Sequence, residues 1–197
     1  MRFYFKLSML LLVQYSSLIT SAQIVKVDMP RGLYAFNIVE DKQGNIWVGL
    51  SDGNTGGELA LVKNDTLVLK SGNNGIPSGS YHTSVNLPDG GLMFGGSILS
   101  GGKPCLVWIT SYGIDTIQVP IFISSPFINT ISLVNNRDIW LGTASGLLVN
   151  SYGTWSIYTT SNGLPHNFIN AIEQDFRGVI WIGTELGLAY YIDGTFR

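Results

Sequence analysis

The residues Ile46-Trp47-Val48-Gly49 return as Ile139-Trp140-Leu141-Gly142 and again as Ile180-Trp181-Ile182-Gly183, with a looser copy at Leu92-Met93-Phe94-Gly95. The closing glycines are 46, 47 and 41 residues apart. A period in the forties, with turn glycines and short apolar runs, is the size of one four-stranded propeller blade. Each copied phrase is apolar at successive positions rather than at alternate ones. A sheet with one wet face would alternate, so these strands are expected to be covered on both faces. Blades stacked side by side supply that cover, with Trp47, Trp140 and Trp181 as wedges between them. The expected fold class is all-β, a β-propeller of about four blades of four-stranded antiparallel sheets.

The units fall at about 23–70, 71–119, 120–160 and 161–197. The fourth divides most clearly. Phe168–Gln174 reads as a first strand, Asp175-Phe176-Arg177-Gly178 as a tight turn and Val179–Gly183 as a second strand. A bend at Thr184–Leu186 leads to a third strand, Gly187–Ile192, and Asp193-Gly194 is a hairpin turn that tolerates positive φ. The third unit repeats this plan, with turns at Asn135–Asp138 and Ser151–Gly153 and a last strand at Thr154–Thr159.

The first 22 residues are read as a segment outside this fold. Arg2 and Lys6 precede an apolar run from Leu7 to Val13, and Thr20-Ser21-Ala22 ends it ahead of Gln23. That layout is expected of a secretory signal peptide cleaved near Ala22-Gln23, and its core is short of the roughly 18 to 20 apolar residues of a membrane span. The location implied is periplasmic or secreted. Without Arg2 and Lys6, nine Lys and Arg face thirteen Asp and Glu. A net negative chain is a poor partner for nucleic acid, whose affinity rests on neutralised phosphates. The single cysteine, Cys105, is expected as a small buried hydrophobe.

The stretch "NGLPHNFINAIEQDFRGVIWIGTELGLAYYIDGTF" resembles the two-component regulator propeller repeat, which links "GLP", an "I-x-x-D-x-x-G-x-I-W-I-G-T" core and a "G-L-x-x-Y" tail. The resemblance is close over 162–196, good over 126–150, fair over 36–49 and weak over 74–95. It implies the propeller fold and a relation to the periplasmic sensor regions of hybrid histidine kinases of gut and environmental bacteria. This chain shows no kinase, no membrane span and no DNA-binding segment, so the signalling role does not come with the repeat.

Two segments compete for the outermost strand of the last unit. Counting back by the period sets Gln23–Val27 where an outer strand would stand. Its pairing with the last blade would close the ring without a ragged edge. Closure or near-closure by this N-terminal strand is the expectation, with the C-terminal Thr195-Phe196-Arg197 competing for the same slot. An open four-blade piece would instead be expected to associate with another copy.

Propellers bind on the face carrying the loops between blades and between second and third strands, a fold-level analogy. The period places Phe36, His82, Asn129 and Asn170 at equivalent inner-strand positions on that face. The inter-blade loops add Arg31, Asn73, Asn74, His166 and Asn167. The loops between second and third strands add Asp52, Asn54, Glu58, Lys103 and Glu185. Two of these loops, Leu50–Glu58 and Gly96–Pro104, are longer than their counterparts, which makes an asymmetric rim. A rim of Asn, His and aromatic residues suits an oligosaccharide or a protein partner through stacking and hydrogen bonds. The plainer account is that Asn and Gly merely serve turns.

Other patterns carry less. Gly49-Leu50-Ser51-Asp52-Gly53 fits G-x-S-x-G, but the nucleophile elbow needs a strand-to-helix turn and this segment joins two strands. Asp52–Glu58 is oxygen-rich but lacks calcium-loop spacing. His82 and His166 have no zinc-like cluster around them, so no metal, cofactor or catalytic set is assigned. Glu40-Asp41 and Glu173–Asp175 recur at turns, which favours a structural role; Glu58 and Glu185 are less periodic. Three functional readings follow: a non-enzymatic exported binding or sensor-like propeller; a carbohydrate-active hydrolase or lyase using the acidic rim; and a scaffold or fragment of a larger two-component sensor.

Overall fold

In the computed structural model the described residues are 26–53, 56–70, 75–100, 103–120 and 127–197. They form four four-stranded antiparallel sheets, each built from consecutive strands. The first holds β1 (Tyr34–Glu40), β2 (Ile46–Ser51), β3 (Leu59–Lys63) and β4 (Thr66–Leu69). The second holds β5 (Gly79–Asn86), β6 (Leu92–Ser100), β7 (Lys103–Thr110) and β8 (Gly113–Gln118). The third holds β9 (Ile128–Val134), β10 (Asp138–Thr143), β11 (Gly146–Ser151) and β12 (Thr154–Tyr158). The fourth holds β13 (Ile169–Gln174), β14 (Ile180–Thr184), β15 (Gly187–Ile192) and β16 (Thr195–Phe196). These are the blades of a β-propeller.

Turn chemistry explains the hairpins. Asn64-Asp65, Asn135-Asn136, Tyr152-Gly153 and Asp193-Gly194 each carry two successive positive φ values, from 47° to 82°. Two-residue turns of that hand match the twist of the strands they join, and Asn, Asp and Gly tolerate them best. The longer β1–β2 and β13–β14 turns are organised by one aspartate each. Asp41 accepts N–H bonds from Gln43 and Asn45 at 2.9 and 2.8 Å and from the Trp47 indole at 3.0 Å. Asp175 accepts from the backbone of Arg177 and Val179 and from the Trp181 indole, at 2.9, 3.1 and 3.2 Å. The D-x-x-G-x-I-W spacing is thus a turn whose carboxylate also fixes the rotamer of the following tryptophan.

The blades stack in chain order, the inner strand of each packing on the first two strands of the one before. The phrase glycines mark where they meet. A Cβ on Gly49 would strike the Tyr81 carbonyl, one on Gly95 would lie 2.8 Å from Ile131, and one on Gly142 would lie 2.7 Å from Ile169. Tyr81, Ile131 and Ile169 each belong to the next blade, while Thr130 of the same blade is closer still to a Cβ on Gly142, at 2.5 Å. Leu59 and Leu147, directly across the register from Gly49 and Gly142, are fully buried. Burial of each such leucine contributes about 1.5–3 kcal/mol. Trp47 lies 6.4 Å from Phe94, and Trp140 meets Tyr191 edge-on at 5.3 Å, so both are wedges between blades as expected.

Two expectations change. Trp181 packs on Tyr190 of its own sheet at 5.4 Å, not on another blade, because no further blade follows it among the described residues. The outermost slot of the last sheet belongs to the C-terminal strand: Phe196 pairs with Tyr191, and Arg197 exchanges both backbone hydrogen bonds with Tyr190 at 2.9 Å. Of the competing Gln23–Val27 segment, residues 23–25 lie outside the described residues, while Lys26 and Val27 belong to no strand. The leader expected over residues 1–22 also lies outside them. Cys105 is fully buried, as expected, with its thiol 3.8 Å from the Ile98 carbonyl. Among the described residues, no helix is long and apolar enough to cross a membrane.

Candidate functional site

The four residues aligned by the period, Phe36, His82, Asn129 and Asn170, share a structural reason for their position. In every blade the inner strand shifts register against its neighbour there. The pairings jump from Ala35 to Asn37, from Tyr81 to Thr83, from Ile128 to Thr130 and from Ile169 to Ala171. The residue left over is a β-bulge, which re-aims its side chain out of the alternation of the strand. One bulge per blade sets these four side chains at the same level of the inner strands.

The first two bulge residues come together. The ring of Phe36 stacks on the His82 imidazole at 4.8 Å and 27°, and His82 stacks in turn near Phe127 at 5.9 Å and 28°. Phe36 keeps 51% of its surface in water. The His82 Nε2 atom is buried and has no hydrogen-bond partner among the described residues. Burial pushes the His82 pKa down, which favours the neutral ring. Phe127 was not among the residues singled out from the sequence. Its signal was an aromatic residue immediately ahead of the third inner strand.

The other two bulge residues do different work. Asn129 donates from Nδ2 to the Ile169 carbonyl at 2.9 Å and ties the third blade to the fourth. Asn170 is exposed. At the other end of the arc, His166 Nδ1 accepts the Phe168 N–H at 3.1 Å, with the Glu185 carboxylate 3.5 Å away. Asn167 accepts the Thr160 N–H at 2.8 Å and holds the inter-blade loop. Arg31 is exposed in a turn. Asp52 holds its own loop by accepting the Gly56 N–H at 3.1 Å. Asn54, Asn73 and Asn74 lie outside the described residues, as does the side chain of Lys103, whose backbone opens β7.

The acidic pair weighed for catalysis is divided between the first and fourth blades. Glu58, in the β2–β3 loop, has one carboxylate oxygen buried without a partner among the described residues; Glu185, in the β14–β15 bend, is exposed. Ser51 is buried, shares a 2.8 Å hydrogen bond with Ser80 Oγ and accepts the Gly53 N–H at 3.0 Å, which makes it a bend residue as expected. No group of three His, Cys, Asp or Glu able to hold a metal occurs among the described residues. Clefts at the opposite, turn-bearing end of the first two blades are framed by Asp41 and Trp47, and by Trp108 and Tyr112. The Asp41 oxygens there are already engaged by the turn.

Four stacked antiparallel blades with a bulge on each inner strand define a β-propeller. Its repeat matches the model of the two component regulator propeller over residues 30–52 and 163–185. No curated protein matches the chain. Among solved structures, the extracellular domain of a putative hybrid two component system of B. thetaiotaomicron aligns at 22% identity and a TM-score of 0.66, covering 92% of this chain and 25% of that one. The extracellular domain of a putative one component system of the same organism gives 22% and 0.60, covering 83% and 21%. Virginiamycin B lyase of Staphylococcus aureus gives 12% and 0.57, covering 81% and 53%. The chain therefore spans only about a fifth to a half of the length of these neighbours, and at such identities the likeness is one of fold.

Proposed function

We propose that the chain is an exported, non-enzymatic binding propeller of the sensor type, and that it recognises a neutral polar ligand, an oligosaccharide in the first instance, at the Phe36–His82–Phe127 stack. The observation that carries this reading is the His82 Nε2 atom, buried between blades without a hydrogen-bond partner among the described residues. A buried polar atom left unpaired costs about 1–3 kcal/mol, and a ligand hydroxyl that reaches it recovers much of that cost. The half-exposed Phe36 face beside it offers the apolar platform on which a sugar ring stacks. Export rests on the leader-like residues 1–22 and on the fold shared with extracellular sensor domains.

The experiment is a thermal melt against a panel of oligosaccharides, followed by titration of the best responder. At 100 times Kd a specific ligand adds about 2.7 kcal/mol of stability. Substitution Phe36→Ala or His82→Ala should weaken that ligand at least tenfold while leaving the unliganded melt cooperative. A responder whose affinity ignores both substitutions would remove the stack from the site.

A further inference from the structure

The second and third blades treat the same corner of their forward faces in opposite ways. In the turns that lead into β6 and β10, Leu87 and Val134 each accept the N–H three residues on, from Gly90 at 2.9 Å and from Arg137 at 3.1 Å. Gly90 therefore stands where Arg137 stands, and Gly91 where Asp138 stands. The third blade fills its corner from within. The Arg137 guanidinium bonds both oxygens of Asp138, at 2.8 and 3.0 Å, and lies 4.1 Å from the centre of the Tyr152 ring at the β11–β12 tip. The second blade has only glycines there, and its corner is an open cleft of about 450 Å³ whose walls include Asp89, Trp108, Tyr112 and Asp115. Trp108 stands across from Met93 as Val149 stands across from Trp140, which puts the cleft on the matching face. Both hairpin tips read Ser-Tyr-Gly, with the tyrosine one turn position later in the second blade, and Tyr112 is 99% exposed. Asp89 Oδ1 accepts the Gly91 N–H at 2.9 Å and Asp115 Oδ1 accepts the Thr116 N–H at 2.7 Å, but neither carboxylate has an ion-pair partner among the described residues. Lys42, which reaches the same turn from the first blade, donates instead to the Pro88 carbonyl at 2.9 Å.

We infer that this cleft takes from outside the group that the third blade supplies to itself: a guanidinium, carried by an arginine side chain of a peptide. The charge of the two unpaired carboxylates calls for a cation, and the Trp108 and Tyr112 rings favour a flat one. A guanidinium meets both demands at once, because its planar fork matches a carboxylate and its face stacks on an aromatic ring. A lysine ammonium is a compact point charge that does neither as well. A neutral sugar would leave the charge of both carboxylates unmatched. The cleft is at the turn-bearing end of the blade, opposite the Phe36–His82–Phe127 stack, and the inference does not rest on the reading of that stack.

The test is a titration of the full chain with a blocked Gly-Arg-Gly tripeptide, followed through the Trp108 indole N–H resonance, which is assigned by its loss in Trp108→Phe. The resonance should shift saturably at millimolar peptide. The same peptide with citrulline in place of arginine keeps the shape and loses the charge, and it should bind at least about tenfold more weakly. Tyr112→Ala and Asp115→Asn, both at exposed positions of the β7–β8 hairpin, should each weaken Gly-Arg-Gly severalfold while leaving the circular dichroism and the thermal melt unchanged. Phe36→Ala should leave the affinity for this peptide as it is, which keeps the two sites separable. A titration without a saturable shift would overturn the inference. So would a citrulline peptide that binds as well as the arginine one, or Gly-Arg-Gly binding that ignores both hairpin substitutions.

Discussion

The third and fourth blades carry nearly the same forward face and meet opposite fates. Trp140, Gly142 and Leu147 of the third lie in a tight junction with Ile169, Ile172 and Tyr191 of the fourth. Trp181, Gly183 and Leu188 of the fourth face no further blade among the described residues, and Leu188 stands 62% exposed. The difference is not in the residues. Burial of a repeat's apolar face is decided by its neighbour, so one sequence phrase is core in one place and surface in another.

The largest expected effect breaks this pair apart. Trp140→Ala should cost about 3–5 kcal/mol in denaturant unfolding, because it empties a filled junction. Trp181→Ala, which loses contacts only within its own sheet and the Asp175 hydrogen bond, should cost clearly less. Equal costs would mean that the fourth face is covered as well as the third. A smaller effect concerns the turn that leads into the fourth face. The Arg177 side chain first, then the Trp181 indole and two backbone N–H groups, hold the Asp175 carboxyl down to about 2, from 3.8. A carboxylate with a depressed folded pKa stabilises the protein above its unfolded pKa and loses that contribution as pH falls through the folded value. Asp175→Asn should therefore lower Tm at neutral pH, and the gap to wild type should close between pH 3.8 and about 2. A gap that persists unchanged at pH 2 would assign the effect to turn geometry rather than to charge.

Much of this was legible in the residues themselves. The period located the second strand of each blade, because Ile-Trp-x-Gly must be apolar on both sides to lie between two blades. Asp193-Gly194 and Asn135-Asn136 named their turns, since few other pairs tolerate two positive φ values. The alignment of Phe36, His82, Asn129 and Asn170 was also in the sequence; the bulge that gives them a common level was not, because a one-residue register shift leaves no compositional trace. Phe127 joins the stack only through the fold. The outer slot of the last blade was ambiguous for a related reason. A two-residue strand such as Thr195–Phe196 is too short to show a pattern, and pairing alone awards it the place.

The central claim is that the forward face is buried in the third blade and open in the fourth, and thiol labelling tests it most directly. Leu147→Cys and Leu188→Cys place one thiol on each face, while the native Cys105 is buried and silent. In the dilute native protein, Leu188→Cys should react at close to the rate of a free thiol, and Leu147→Cys should react only through unfolding. Comparable protection of the two cysteines under those conditions would contradict the account, because it would mean that the fourth blade is already covered within a single chain.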